Sequence, residues 1–245
     1  MHRPIADVVY PERRFGGYSL RDGTVEFYGR VQALLGETDR VLDVGCGRGK
    51  YHEDQCRYRR SLCTLQGPGR TVLGIDVDEA GVTNPLIDEF RLITDLDAWP
   101  VEDASIDLAV ANSVVEHVER PEKFFAEMRR VLKPGGYLCV RTYNVWNYVG
   151  VAARLIPNRM HARVTAKAQD DRKEEDVFPT VYRCNTRRKL QRAMQAAGFD
   201  AYVYTYEAEP NYLSFSRVLY RIGAAVHAVM PPPFRWSLLG FGRAQ

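Results

Sequence analysis

The sequence predicts an α/β protein built on a parallel sheet, with ligand chemistry at the carboxyl ends of its strands. Three observations carry that expectation. Short apolar runs alternate with helical stretches over residues 39–143, which is the rhythm of βαβ units. The runs are continuously apolar, as strands buried on both faces are. The first run ends in a glycine cluster and the second ends in Asp76.

Taken in order, residues 1–38 read as an N-terminal arm carrying one helix near 24–35. Residues 41–44 form the first strand, closed by Gly45-Cys46-Gly47-Arg48-Gly49. A helix is expected over about 50–65, and Gly67-Pro68-Gly69 ends it. Residues 71–75 give a second strand, 84–89 a helix, 91–94 a third strand and 106–111 a fourth. Pro121 suits a first helical turn. The helix it opens runs to Val131-Leu132 and stops at Lys133-Pro134-Gly135-Gly136. Residues 137–143 form a fifth strand.

The rhythm then breaks, because residues 144–184 are polar, basic and irregular. Asn185 or Thr186 caps a further helix that ends at Gly198. Residues 201–206 are a sixth strand. Residues 212–230 form an amphipathic helix, stopped by Pro231-Pro232-Pro233, and 236–241 form a last strand. The expected organisation is one domain over 1–245: the arm and helix (1–38), a ligand-binding core (39–143), an insertion (144–184), and C-terminal helices and strands (185–245).

Bulk properties narrow the classes. The chain has 245 residues, 45% hydrophobic and 27% charged, an ordinary globular composition. A net charge of +3 is small and predicts no partner by itself, and a nucleic-acid binder would more often show a concentrated basic face, so no nucleic-acid partner is expected. The cysteines Cys46, Cys56, Cys63, Cys139 and Cys184 are odd in number and show no C-x-x-C spacing. That disfavours a disulfide framework or structural zinc and points to reduced thiols in the cytoplasm. The first residues lack the apolar region of a signal peptide. No run reaches the ~18 apolar residues of a membrane span. No compact metal-ligand motif is visible.

The glycine cluster reads Asp43-Val44-Gly45-Cys46-Gly47-Arg48-Gly49. Glycines there allow a sharp turn and close approach to a ligand. The third glycine comes one residue earlier than in the dinucleotide fingerprint, with Lys50 in the place that pattern needs. This disfavours a nicotinamide oxidoreductase. Asp76, at the tip of the second strand, has the position of a ribose-binding acid. Further along come Asp95-Leu96, then Asn112, Glu116-His117, and Lys133-Pro134-Gly135-Gly136.

In order and spacing this set resembles the class I S-adenosylmethionine-dependent methyltransferases, in their type 11 branch, over about residues 39–143. The resemblance implies a Rossmann-like fold with a mostly parallel seven-stranded sheet and helices on both faces. It implies S-adenosyl-L-methionine as cofactor, held by Asp43, Gly45, Cys46, Gly47, Asp76 and Val77. Asp95 and Leu96 would lie at the adenine and Asn112 near the methionine end. An acid in the loop suits the donor's ammonium and sulfonium. Lys133-Pro134-Gly135-Gly136 is a structural turn in that family. One departure is the long spacing from Gly49 to Asp76, which includes the basic run Arg57-Tyr58-Arg59-Arg60, read as a solvated face or an added wall of the site.

Residues 144–184 lie where the family places substrate contacts. His117 and His161 are candidate bases, each with a structural alternative. Residues 154–192 hold eleven Lys or Arg and five acids, so Arg163, Arg172 and Arg183 could bind phosphate through charge-assisted bonds, with Tyr182 beside them. Residues 176–186 resemble a stretch of bacterial methyltransferases encoded with polysaccharide and glycolipid genes. The preferred acceptor is therefore a saccharide or lipid-linked saccharide. A phenolic, quinone or other secondary metabolite is the alternative, and a non-catalytic cofactor-binding module remains open. The apolar stripe of the 212–230 helix either packs on its own core or rests peripherally on a membrane or an aliphatic substrate tail.

Overall fold

A computed structural model of the chain describes residues 4–147 and 179–245. Seven strands form one sheet: β1 (Arg40–Val44), β2 (Thr71–Asp76), β3 (Glu89–Leu92), β4 (Ile106–Asn112), β5 (Leu132–Tyr143), β6 (Phe199–Tyr206) and β7 (Ser237–Ala244). Their order is β3-β2-β1-β4-β5-β7-β6. β1 to β5 are parallel, and β7 runs antiparallel between β5 and β6. This is the expected Rossmann-like sheet. The described helices are α1 (Ile5–Val9), α2 (Gly23–Leu34), α3 (Arg57–Cys63), α4 (Pro121–Val131), α5 (Arg187–Ala196) and α6 (Arg217–Ala228).

Alternation along the strands explains why helices cover both faces. On one face Phe27, Tyr28 and Val31 of α2 and Cys63 of α3 join Val41, Val72, Leu108 and Cys139 in one core. On the other, Phe125 and Met128 of α4 and Leu190 and Met194 of α5 join Leu42, Leu73, Ala109 and Leu138. Each such buried large side chain contributes about 1.5–3 kcal/mol.

Local chemistry sets the helix ends. Asp22 caps α2 by accepting from the Thr24 and Val25 amides. Pro121 sits at the start of α4. Thr186 caps α5 by accepting from Lys189, while Asn185 is used elsewhere.

Several boundaries differ from expectation. The helix over 50–65 is broken into a 3-10 turn, Lys50–Glu53, and the short α3. Asp54 resets the chain, because its carboxylate accepts the Cys56 amide at 2.8 Å and the Arg59 guanidinium at 2.5 and 2.7 Å. A side chain bonding locally competes with the helix in this way.

Residues 84–89 are not a helix, and a 3-10 turn at Glu79–Thr83 precedes them. Pro85 disfavours helical backbone at Asn84. The Asn84 side chain instead donates to the Cys46 carbonyl and accepts the Leu86 amide. The third strand therefore begins earlier, at Glu89. β5 also begins earlier, since Leu132 pairs with Ile106 and the register then shifts to accommodate Lys133-Pro134-Gly135-Gly136. Helix 212–230 shortens to α6, capped by Ser216 and preceded by a 3-10 turn at Asn211–Leu213.

Candidate functional site

The chain turns to one side of β1 to make β2 and returns on its other side as β4, so the carboxyl ends of β1 and β4 flank a topological switch point. Ligands of open α/β sheets bind in the crevice at such a point. The glycine turn lies there. Gly45 has φ 67°, and a Cβ on it would stand 2.5 Å from Val114 Cγ2. Gly47 has φ 49°, and a Cβ on it would meet nothing within 4 Å. The first glycine is thus demanded by packing, and the second faces open space that a ligand can enter.

Asp76, at the tip of β2, braces this turn. Its Oδ2 accepts the Gly47 amide at 2.8 Å and its Oδ1 accepts the Asp78 amide at 3.0 Å. Each carboxylate oxygen has a further lone pair for a ligand hydroxyl. Asp43 lies in β1 beneath the turn. Burial pushes its carboxyl up to about 7, and the nearby Asp76 charge adds to the shift. A cationic ligand would relieve both carboxylates, so these residues fit a donor carrying an ammonium and a sulfonium.

Cys46 is buried, its carbonyl takes the Asn84 amide group, and burial raises its thiol well above the ordinary value. It serves as backbone and packing here, since a thiol is reactive only as thiolate. Val77, Asp95 and Leu96 are exposed, Asp95 and Leu96 following β3. Asp95 Oδ1 accepts the Asp97 amide at 2.8 Å. The fold brings Asp43, Gly45, Gly47 and Asp76 together, and sets Asp95 and Leu96 in the segment that follows the outer strand β3.

Asn112 ends β4 within a cluster that the sequence did not reveal. Arg141, from β5, donates through Nε to Asn112 Oδ1 at 2.7 Å and through Nη2 to Tyr51 Oη at 2.7 Å. Its Nη1 reaches the Gly23 carbonyl and Thr24 Oγ1, and the guanidinium lies 5.3 Å from the Phe27 ring centroid. Asn112 Nδ2 donates to Tyr51 Oη at 3.3 Å. Burial alone would raise the Tyr51 phenol, but the Arg141 guanidinium and Lys50 ammonium outweigh it and hold it below its ordinary value. Ser113, next in chain, has φ 61°, a conformation that costs a non-glycine residue about 1–3 kcal/mol and clusters at functional sites.

His117 lies on the 3-10 turn Val115–His117, just beyond β4. Its Nδ1 is 2.9 Å from the Pro179 carbonyl, which fixes the proton on Nδ1 and makes Nε2 the basic nitrogen. The neighbouring Glu116 is buried, and its Oε2 accepts the Thr142 hydroxyl at 2.6 Å. Thr142 Oγ1 in turn accepts from Asn185 Nδ2 at 2.7 Å.

The Glu116 carbonyl accepts the Val181 and Tyr182 amides. The chain at Val181 and Tyr182 is thus docked on the loop that carries His117, and the Tyr182 and Arg183 side chains are exposed. Tyr182 adopts φ 49° there. His161, Arg163 and Arg172 lie outside the described residues. Of the basic run 57–60, Arg59 is a structural tie, paired with Asp54 at 2.5 Å and Asp22 at 2.7 Å. Among the described residues no three His, Cys, Asp or Glu side chains are grouped to hold a metal ion. A separate cleft of about 410 Å³ opens at the end of β6, lined by Arg21, Tyr206, Glu207, His227 and Arg235 among others.

Residues 42–140 match the family described as Methyltransferase domain. A malonyl-[acyl-carrier protein] O-methyltransferase of Methylococcus capsulatus is 27% identical over 216 residues, covering 80% of this chain and 69% of that protein. A ubiquinone biosynthesis O-methyltransferase of Rhizobium leguminosarum is 33% identical over 129 residues, 51% of this chain and 49% of that one. The chain thus spans about half of the second relative's length.

Among solved structures, a geranyl diphosphate C-methyltransferase of Streptomyces coelicolor, in complex with S-adenosyl-L-homocysteine, superposes with a TM-score of 0.53. It is 18% identical, covering 90% of this chain and 75% of that one, a likeness of fold. The three differ in the acceptor their names state, so they agree on the core alone.

Proposed function

We propose that the chain, whose residues 42–140 match a methyltransferase family and whose sheet is that of S-adenosylmethionine-dependent methyltransferases, is a class I enzyme of the type 11 branch and methylates a hydroxyl of a saccharide or lipid-linked saccharide. The family's cofactor is S-adenosyl-L-methionine. When bound, it supplies a methyl group already activated by its sulfonium. The protein's task is then alignment and proton removal.

In this reading Asp76 holds the ribose hydroxyls, Val77, Asp95 and Leu96 border the adenine, and Asp43 balances the donor's positive charge. Gly45, Cys46 and Gly47 shape the turn, and Asn112 borders the methionine end. His117 Nε2 accepts the acceptor's hydroxyl proton. The observation that carries the acceptor assignment is the docking of the Val181 and Tyr182 amides on the Glu116 carbonyl, beside His117, which sets Arg183 next in chain. It joins a basic stretch to the loop that holds the proposed base. Arg163, Arg172, Tyr182 and Arg183 would meet an anionic or polyhydroxylated acceptor, and His161 is the other candidate base.

A second reading for the base rests on the Arg141 contact. Tyr51, held at 2.7 Å from the guanidinium, is a phenol whose proton that cation makes easier to lose. A phenolic or quinone-type acceptor is the alternative substrate, consistent with the relative named for ubiquinone biosynthesis. A screen of glycolipid, saccharide and quinone-precursor fractions with methyl-labelled donor tests the assignment. Label in saccharide-bearing products supports it, and label confined to phenolic products overturns it.

A further inference from the structure

Helix α6 has its two faces in an unexpected order. Its buried side is Tyr220, Gly223 and His227. Tyr220 is fully buried, and a Cβ on Gly223 would meet Leu213 and Pro210, so this narrow side seats the helix on its own chain. The apolar stripe faces outward instead. Phe215, Val218, Ile222, Val226 and Val229 follow one another at three- and four-residue steps and are all exposed, Val218 to 67% and Val229 to 79%. Phe234, in the turn after the helix, is exposed as well. The core-packing alternative for this stripe is therefore corrected: the helix packs through its less apolar side.

Charge selects what meets this patch. Residues 210–236 contain three arginines, at 217, 221 and 235, and no Asp or Glu. A second copy of the same surface would set arginines against arginines. An anionic lipid surface offers the complementary charge, and apolar depth for the stripe. The helix has 12 residues, about 18 Å long, too short to span a bilayer. Among the described residues no helix is long and apolar enough to cross a membrane. Its geometry is that of a helix lying in the interface plane.

We propose that α6 and Phe234 dock the protein in plane on anionic membrane, through the apolar stripe and its flanking arginines. The patch adjoins the reacting edge of the sheet. Ser237, which begins β7, pairs with Tyr143 at the carboxyl end of β5 and with Tyr206 at the end of β6. The N-terminal arm is tied in through Arg21, whose Nη1 donates to the His227 carbonyl at 3.0 Å. Docking thus brings the crevice rim to the lipid surface, where the headgroup of an amphiphilic acceptor is within reach. The docking itself does not depend on the methyl-transfer reading.

The test is co-sedimentation with phosphatidylcholine vesicles and with vesicles of phosphatidylcholine and phosphatidylglycerol in equal parts. The wild-type chain is expected to sediment with the mixed vesicles about tenfold more than with the neutral ones, and added salt should weaken it. Ile222→Asp and Val226→Asp, both at exposed positions, should lose about tenfold or more of the binding. Their thermal melting and S-adenosylhomocysteine affinity should be unchanged. Equal binding by wild type and variants overturns the proposal. So does absence of binding to either vesicle, or a solution dimer broken by Ile222→Asp with no lipid binding. Failure of methyl transfer with every acceptor would leave the vesicle result standing, so the two readings fail separately.

Discussion

The backbone N–H of Gly47 donates to the carboxylate of Asp76 at 2.8 Å. The glycine turn after β1 and the tip of β2 are therefore one unit, and the residue proposed to hold the ribose also braces the turn. Asp76→Ala should weaken S-adenosylhomocysteine binding by roughly 1.5–3 kcal/mol, the scale of a hydrogen bond to a charged group. Titration calorimetry reads this directly. Unchanged affinity would remove Asp76 from the donor site.

Asp43 makes donor binding depend on pH. Burial and Asp76 raise its folded carboxyl to about 7. The folded state then holds this proton more tightly than the unfolded chain, so the contribution is the reverse of the usual carboxylate case. The stability it confers is present at low pH and is lost as pH rises from the ordinary carboxylate range through about 7. A bound cation favours the ionised form, so S-adenosylmethionine affinity should increase with pH up to about 7 and level off above it. Calorimetry in buffers of different ionisation enthalpy should show proton release at about pH 6. Asp43→Asn should abolish both effects, and proton release that persists in the variant assigns it to another group.

Arg141 sets the state of Tyr51. Arg141→Met removes the guanidinium from the phenol and leaves buried acceptors unpaired, lowering stability by about 1–3 kcal/mol. Ultraviolet titration of tyrosinate should lose its lowest-titrating phenol. If that phenol persists, it is not Tyr51 held by Arg141. Tyr51→Phe should slow transfer by about 10²–10⁴ only under the second reading of the base.

Glu116 and His117 are adjacent but should fail differently. His117→Ala should lower the transfer rate by about 10²–10⁴ with little change in melting temperature. Glu116→Ala leaves the buried Thr142 hydroxyl without its acceptor, and should lower stability by about 1–3 kcal/mol. A near-normal rate in His117→Ala would move the role of base to Tyr51 or His161.

The strands and the turn were legible because their signals are local. Val72-Leu73-Gly74-Ile75-Asp76 states a buried strand and its terminal acid in five consecutive residues. The Arg141 cluster was not legible, because Arg141 and Tyr51 lie 90 residues apart and no periodicity links them. The helix over 50–65 failed for a local reason of another kind, since the Asp54 side chain outcompeted the backbone ladder. For α6 the period announced two faces, but period alone does not say which face meets protein. Gly223 decided that, by letting the helix approach Leu213 and Pro210.

The most direct test of the central claim is to incubate the purified chain with methyl-labelled S-adenosylmethionine and saccharide or glycolipid extracts, following both S-adenosylhomocysteine and labelled product. The two should appear in equal amounts, with label on a saccharide-bearing molecule, and Asp76→Ala should lower both. Tight S-adenosylhomocysteine binding with no labelled product from any acceptor would contradict it, and would make the chain a binding module.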